Sequence, residues 1–180
     1  LFWDTELKLL RRGRATDGRL KLGETHEKAF ELHWKYSFNG PSYSDRFDPI
    51  YRSDIENMRN PDYYSPRLKT YFDVKAKDLP DEVIQSSDIV HVNKDAVDNM
   101  ADRQRGDRKK NLYLIPMFFH QLFGWRCVPA LDALKASKGK IVRYTEAASG
   151  SREDAYAVPF KAFKSLRETI EEQAKELGLL

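Results

Sequence analysis

The chain has 180 residues, about one domain's worth, and with 41% apolar and 33% charged residues it is globular rather than disordered in composition. Its formal charge of +3 is the small difference between 31 basic and 28 acidic residues, so the total implies no polyanionic partner and only local clusters matter. A single cysteine, Cys127, excludes a disulfide framework and any Cys-x-x-Cys redox or zinc motif, and reads as a buried small hydrophobe.

Residues 1–24 form an N-terminal arm with an apolar start and a basic run, Arg11, Arg12, Arg14, Arg19 and Lys21. The absence of an opening methionine suggests that a presequence was removed or left out. Thr25 is a plausible N-cap, and the helix after it aligns Phe30, Trp34 and Phe38 on one face. From Asn39 to Phe72 four prolines, Pro41, Pro49, Pro61 and Pro66, forbid a long helix. Tyr43, Phe47, Tyr51, Tyr63, Tyr64, Tyr71 and Phe72 make the same stretch too aromatic for a solvated linker. It is either an arm laid across another surface or a loop packed on its own domain.

Ile89 to Val92 is a brief strand or an apolar linker. Asn93 caps a helix to about Gln104, with Val97, Met100 and Ala101 on one face and Gly106 as terminator. Arg103 to Lys110 is a basic exposed segment. Pro116 to Gly124 and Pro129 to Gly139 each open on proline and close on glycine, the asymmetry of two consecutive short helices. Ile141 to Thr145 is ambiguous. A last helix from Pro159 carries Phe160, Phe163, Leu166, Ile170, Ala174 and Leu177 on one face.

No catalytic, metal or cofactor site emerges from motifs. His26, His33, His91 and His120 include no pair at i, i+4, the glycines form no phosphate loop, and Ser149-Gly150-Ser151 is no nucleophile elbow. Asp81-Glu82, Glu153-Asp154 and Glu171-Glu172 read as solvated surface. Arg11, Arg12, Arg14, Arg103, Arg105, Arg108, Lys109 and Lys110 offer phosphate contacts, yet acid-rich stretches separate them and no RNA-binding motif is present, so a nucleic-acid partner is not expected.

Phe30, Trp34 and Phe38-Asn39, then Leu122-Phe123-Gly124-Trp125-Arg126-Cys127-Val128-Pro129 followed by Ala133-Leu134-Lys135-Ala136, and the closing Glu176-Leu177-Gly178-Leu179 resemble the matrix-side helical subunit of cytochrome c oxidase, called Va in animals and VI in fungi. Residues between Gly40 and Leu112 stand where that family has a short connection. The resemblance implies a mainly α fold, short helical hairpins in a superhelix, built from 25–39 and 112–180, with 40–111 as an insertion or irregular aromatic-rich arm. It further implies a non-catalytic accessory subunit of a respiratory complex, located on the matrix side of the mitochondrial inner membrane and carrying no cofactor. Its partners are other subunits of a membrane-associated assembly, with no small-molecule substrate and membrane contact only through those subunits. The interface candidates are Phe30, Trp34, Phe38, Tyr43, Phe47, Tyr51, Tyr63, Tyr64, Tyr71 and Phe72. A peripheral ATP synthase subunit and a mitochondrial ribosomal protein using its basic clusters on rRNA are the alternatives.

Overall fold

A computed structural model describes residues 18–35, 51–52, 61–75, 89–119, 124–145 and 152–180. They form a mixed α/β protein and correct the expectation of a superhelix of helical hairpins. The helices are α1 Gly18–His33, α2 Lys94–Gly106, α3 Ala130–Ser137 and α4 Leu166–Glu176. The strands are β1 Tyr51–Arg52, β2 Tyr63–Ser65, β3 Thr70–Phe72, β4 Ile89–Asn93, β5 Leu112–Phe118, β6 Trp125–Pro129, β7 Ile141–Thr145, β8 Arg152–Pro159 and β9 Lys164–Ser165. A six-stranded sheet runs β1-β2-β3-β5-β6-β9, and a three-stranded sheet runs β4-β8-β7. In the larger sheet only the β3–β5 pair is parallel.

Two of the sequence-read helices stand because their caps are local. Asn93 accepts the Ala96 N–H at 3.0 Å, and α2 buries Val97, Met100 and Ala101. Pro129 immediately precedes α3, which closes through Lys138 and Gly139 at positive φ. The helix expected from Pro116 does not form, because Pro116 lies inside β5. That strand is buried at every position from Tyr113 to Phe118, and a run covered on both faces shows no period that separates strand from helix. The last helix begins at Leu166, not at Pro159. Pro159 ends β8, Phe160–Ala162 make a single 3-10 turn, and the Ser165 hydroxyl accepts the Glu168 N–H at 3.3 Å, a Ser-x-x-Glu cap that the continuous apolar spacing concealed.

The large sheet is the middle layer. Against one face α1 and α4 bury Phe30, Trp34, Leu166, Ile170 and Ala174 on Tyr63, Phe72, Val74, Leu114, Phe118, Trp125 and Cys127. Against the other, α2, α3 and the small sheet bury Val97, Met100, Ala133, Val92 and Val158 on Tyr113, Ile115, Met117 and Val128. Cys127 is the buried small hydrophobe expected, its thiol pushed up to about 12 by burial. No helix among the described residues is long and apolar enough to cross a membrane.

Four of the interface candidates occupy this core. Phe30 and Phe72 are 0% exposed, Trp34 1% and Tyr63 2%. The Phe30 ring lies 5.4 Å from Tyr63, 5.3 Å from Phe72 and 5.6 Å from Trp125. Tyr64 and Tyr71 are half-buried and stacked on each other, Tyr51 pairs with Tyr64 through β1, and Phe38, Tyr43 and Phe47 lie outside the described residues. Residues 63–72, assigned by sequence to an insertion, share one sheet with residues 112–129. Phe30→Ala should therefore cost about 3–5 kcal/mol of folding stability in equilibrium urea unfolding.

Candidate active site

The β2–β3 hairpin carries the unusual chemistry of the molecule. Its turn is tied at both ends: the Lys69 N–H donates to the Pro66 carbonyl at 3.3 Å, Thr70 Oγ1 donates to the Leu68 carbonyl at 2.8 Å, and Gln173 Nε2 of α4 donates to the same carbonyl at 2.8 Å. Leu68 itself is wholly buried. With the turn held, Tyr63 pairs with Phe72 as the last pair of the hairpin, and Asp62 and Asp73 are the next residues along the two chains.

Beyond Phe72 the parallel pairing with β5 continues. The Asp73 N–H donates to the Leu114 carbonyl at 2.9 Å and the Lys75 N–H to the Pro116 carbonyl at 3.0 Å. Phe72 and Val74 therefore stay on the α1 face in the core, while Tyr71, Asp73 and Lys75 share the opposite face. Lys75 Nζ sits 2.8 Å from Asp73 Oδ2. On the other side of the hairpin the Val74 N–H donates to Asp62 Oδ2 at 2.7 Å. Proline at 116 has no N–H, so the ladder gives the Asp73 carbonyl no donor from that position.

Helix α1 completes the surroundings. The Tyr63 hydroxyl donates to Glu31 Oε1 at 2.5 Å, fixing the helix on β2, and Glu27 lies one turn earlier. Burial first, then the charge of Asp73 and that of Glu27, raise the Asp62 carboxyl from 3.8 to about 7, against the opposing pull of Lys75 and of the Val74 N–H. Burial works against the Lys75 ammonium, but Asp73, Asp62 and Glu27 outweigh it and hold its pKa above the ordinary lysine value. The result is a crowded acidic centre short of positive charge.

Among the described residues no group of three or more His, Cys, Asp or Glu forms a ready metal cage. Two carboxylates nevertheless suit Mg²⁺, which takes hard oxygen donors, is commonly held by one or two carboxylates, and fills its shell with water and phosphate oxygens. Asp62 and Asp73 offer two such oxygen donors at the open end of the hairpin.

The carboxylate and histidine candidates of the sequence do not gather elsewhere. Asp154 pairs with Arg143 at 2.9 Å across β7 and β8, and Asp81-Glu82 and His120 lie outside the described residues. His33 stacks on Trp125 at 5.8 Å, its pKa lowered to about 4 by burial and by Arg167. The centre itself went unread because Asp62 and Asp73 flank a hairpin inside a segment rich in proline and tyrosine. The available signal was Thr70-Tyr71-Phe72-Asp73-Val74-Lys75, an alternating strand ending acid-x-lysine, with Pro61-Asp62 one hairpin earlier.

No family model and no curated protein matches the sequence. Among solved structures the chain is similar to a Holliday junction resolvase from Archaeoglobus fulgidus, at 12% identity over 83% of this chain and 95% of that one, with a TM-score of 0.48. It is also similar to a nuclease from a fusselovirus, at 15% identity over 92% and 94%, with a TM-score of 0.49. The resemblance to the oxidase subunit is overturned: its Trp125–Pro129 match is strand β6, not a helix junction, and the predicted superhelix is a two-sheet α/β fold. The expectation of a chain without catalytic groups falls with it, since Asp62, Asp73 and Lys75 converge at one strand end.

A raised carboxyl gives a definite sign to stability. Between about pH 4 and 7 the folded chain holds a proton on Asp62 that the unfolded chain has lost, so this group's contribution to stability declines as pH rises through that window. In chelator, Asp62→Asn should raise the thermal midpoint at pH 8 and leave it nearly unchanged at pH 4.5, as scanning calorimetry would record.

Proposed function

We propose that this chain is a divalent-cation-dependent nuclease that hydrolyses phosphodiester bonds in DNA. The observation that carries the reading is the juxtaposition of Asp62, Asp73 and Lys75 at the end of β3, with Asp62 pushed to about 7 by burial and then by the charge of Asp73. This reading replaces the non-catalytic respiratory subunit, together with its ATP synthase and ribosomal alternatives, its inner-membrane partners and its exclusion of nucleic acid. The mitochondrial matrix location belonged to that resemblance and forms no part of this reading.

Asp62 and Asp73 would hold the cation. When bound, it supplies positive charge to the reacting phosphate and lowers the pKa of water at the site. The Val74 N–H fixes Asp62 Oδ2, near enough to Asp73 for the Asp73 charge to raise the Asp62 pKa. Lys75, its pKa held above the ordinary value by Asp73, Asp62 and Glu27 against burial, suits a cationic donor to a phosphate oxygen. Its contact with Asp73 Oδ2 holds the ammonium beside the position where a phosphate would meet the cation. The apolar wall of Phe72 and Val74 behind the centre limits water on the α1 side.

The test is cleavage of duplex and branched DNA by the purified chain with Mg²⁺ or Mn²⁺, against the same reaction in EDTA. Asp73→Asn and Lys75→Met should each lower the rate by about 100-fold or more while circular dichroism stays unchanged. Cleavage that survives Asp73→Asn, or no cleavage of any DNA with either metal, would sink the reading.

A further inference from the structure

At the opposite end of β3 the chain gathers exposed positive charge on two loops that are bonded to each other. The β2–β3 turn contributes Arg67 and Lys69, and the segment between α2 and β5 contributes Arg108, Lys109 and Lys110, all exposed. The Leu112 N–H donates to the Lys69 carbonyl at 2.8 Å, which sets the two loops side by side.

These loops have a built shape. Lys69 and Lys110 both hold positive φ, at 47° and 55°, a conformation that non-glycine residues keep only when their surroundings enforce it. Asp107 does the enforcing on the second loop. Its carboxylate accepts the Lys109 N–H at 2.8 Å, Asn111 Nδ2 at 2.7 Å and the Tyr113 hydroxyl at 2.8 Å. The Asp107 carboxylate is thereby occupied, and Asp102 is paired with Arg105 at 3.3 Å.

Between these loops and the acidic centre lies a tyrosine ladder. Tyr64, Tyr71 and Tyr113 stack with centroids 4.3 and 4.9 Å apart. Tyr64 and Tyr71 are half-buried, and neither hydroxyl makes a hydrogen bond among the described residues. Strand alternation puts Tyr71 on the face of Asp73 and Lys75. Along β3 the order is therefore cation loops, phenol hydroxyls, carboxylates with lysine. At a strand rise of about 3.3 Å per residue, Lys69 and Asp73 stand roughly 13 Å apart, close to the axial length of four base pairs.

We propose that this strip is a phosphate track: Arg67, Lys69, Arg108, Lys109 and Lys110, with the Tyr64 and Tyr71 hydroxyls, grip the backbone of duplex DNA about four base pairs from the bond presented to Asp62 and Asp73. Cations and hydroxyls are the groups that position a duplex through its phosphates. The inference takes its ligand from the nuclease reading, but its test reads binding and does not require cleavage.

The experiment measures anisotropy of a labelled 20-base-pair duplex across a salt series, with the full chain and two variants, Arg67→Gln/Lys69→Gln and Arg108→Gln/Lys109→Gln/Lys110→Gln. The slope of log affinity against log salt should fall by about 2 and about 3 respectively, with affinity at 0.1 M salt weakened at least 10-fold. Lys→Arg and Arg→Lys versions should restore both. Where the wild type cleaves, the glutamine variants should raise KM and leave kcat in place. Unchanged slopes and affinities, or a wild type that binds no duplex, overturn the track. If wild type cleaves and the slopes do not move, the track alone fails. If nothing cleaves and the slopes fall as expected, the track stands and the nuclease reading is lost.

Discussion

The Val74 N–H and the Asp62 carboxylate meet at 2.7 Å across the open end of the β2–β3 hairpin, and that one hydrogen bond decides where the acidic centre sits. Without it the residue before β2 is a chain end beyond the last cross-strand pair, free to turn toward water. With it, Asp62 is drawn in beside Asp73 and away from solvent. The bond favours the ionised carboxylate, yet burial and the neighbouring acids overcome it. What remains is a carboxyl fixed in place by the Val74 N–H and with its pKa raised to about 7. The surrounding fold serves this geometry: α4 clasps the turn through Gln173, α1 is pinned by Tyr63, and β5 extends β3 through the carbonyls of Leu114 and Pro116.

Such a centre is a stability liability. Two acids crowded in a partly buried position destabilise the metal-free fold at neutral pH, and the large aromatic core beside them offsets the cost. Phe30 contacts Tyr63, Phe72, Trp34 and Trp125, so the helix that brings Glu27 near Asp62 is anchored by a side chain three residues further along. Tyr63 links the two roles in one residue. Its ring packs on Phe30, while its hydroxyl reaches Glu31.

Legibility in the sequence followed the range of each signal. Asn93 and the Pro129 to Gly139 pair act within one helix, so α2 and α3 were readable. Strand β5 was not, because a doubly covered strand and a buried helix share the same unbroken apolar run. The centre was harder still. Asp62 gains its meaning only from Asp73, and the two meet only when the Pro66 to Lys69 turn reverses the chain. The tyrosines misled for a related reason: Tyr63 and Phe72 are buried on the α1 face while Tyr64 and Tyr71 stay half-buried on the opposite face, a division that alternation creates and composition hides. The oxidase resemblance rested on short glycine-aromatic and Val-Pro patterns that a turn followed by a strand satisfies equally well.

All the groups assigned to chemistry, Asp62, Asp73 and Lys75, lie on one hairpin within residues 62–75. The turn, the facing strands and the inward Tyr63 and Phe72 are equally local. Such a unit can keep its reactive geometry while the remainder of a chain drifts, lengthens or exchanges its flanking loops, provided a helix covers one side and a parallel neighbour supplies carbonyls on the other. In this protein the acidic groups and the lysine are carried by a single ribbon.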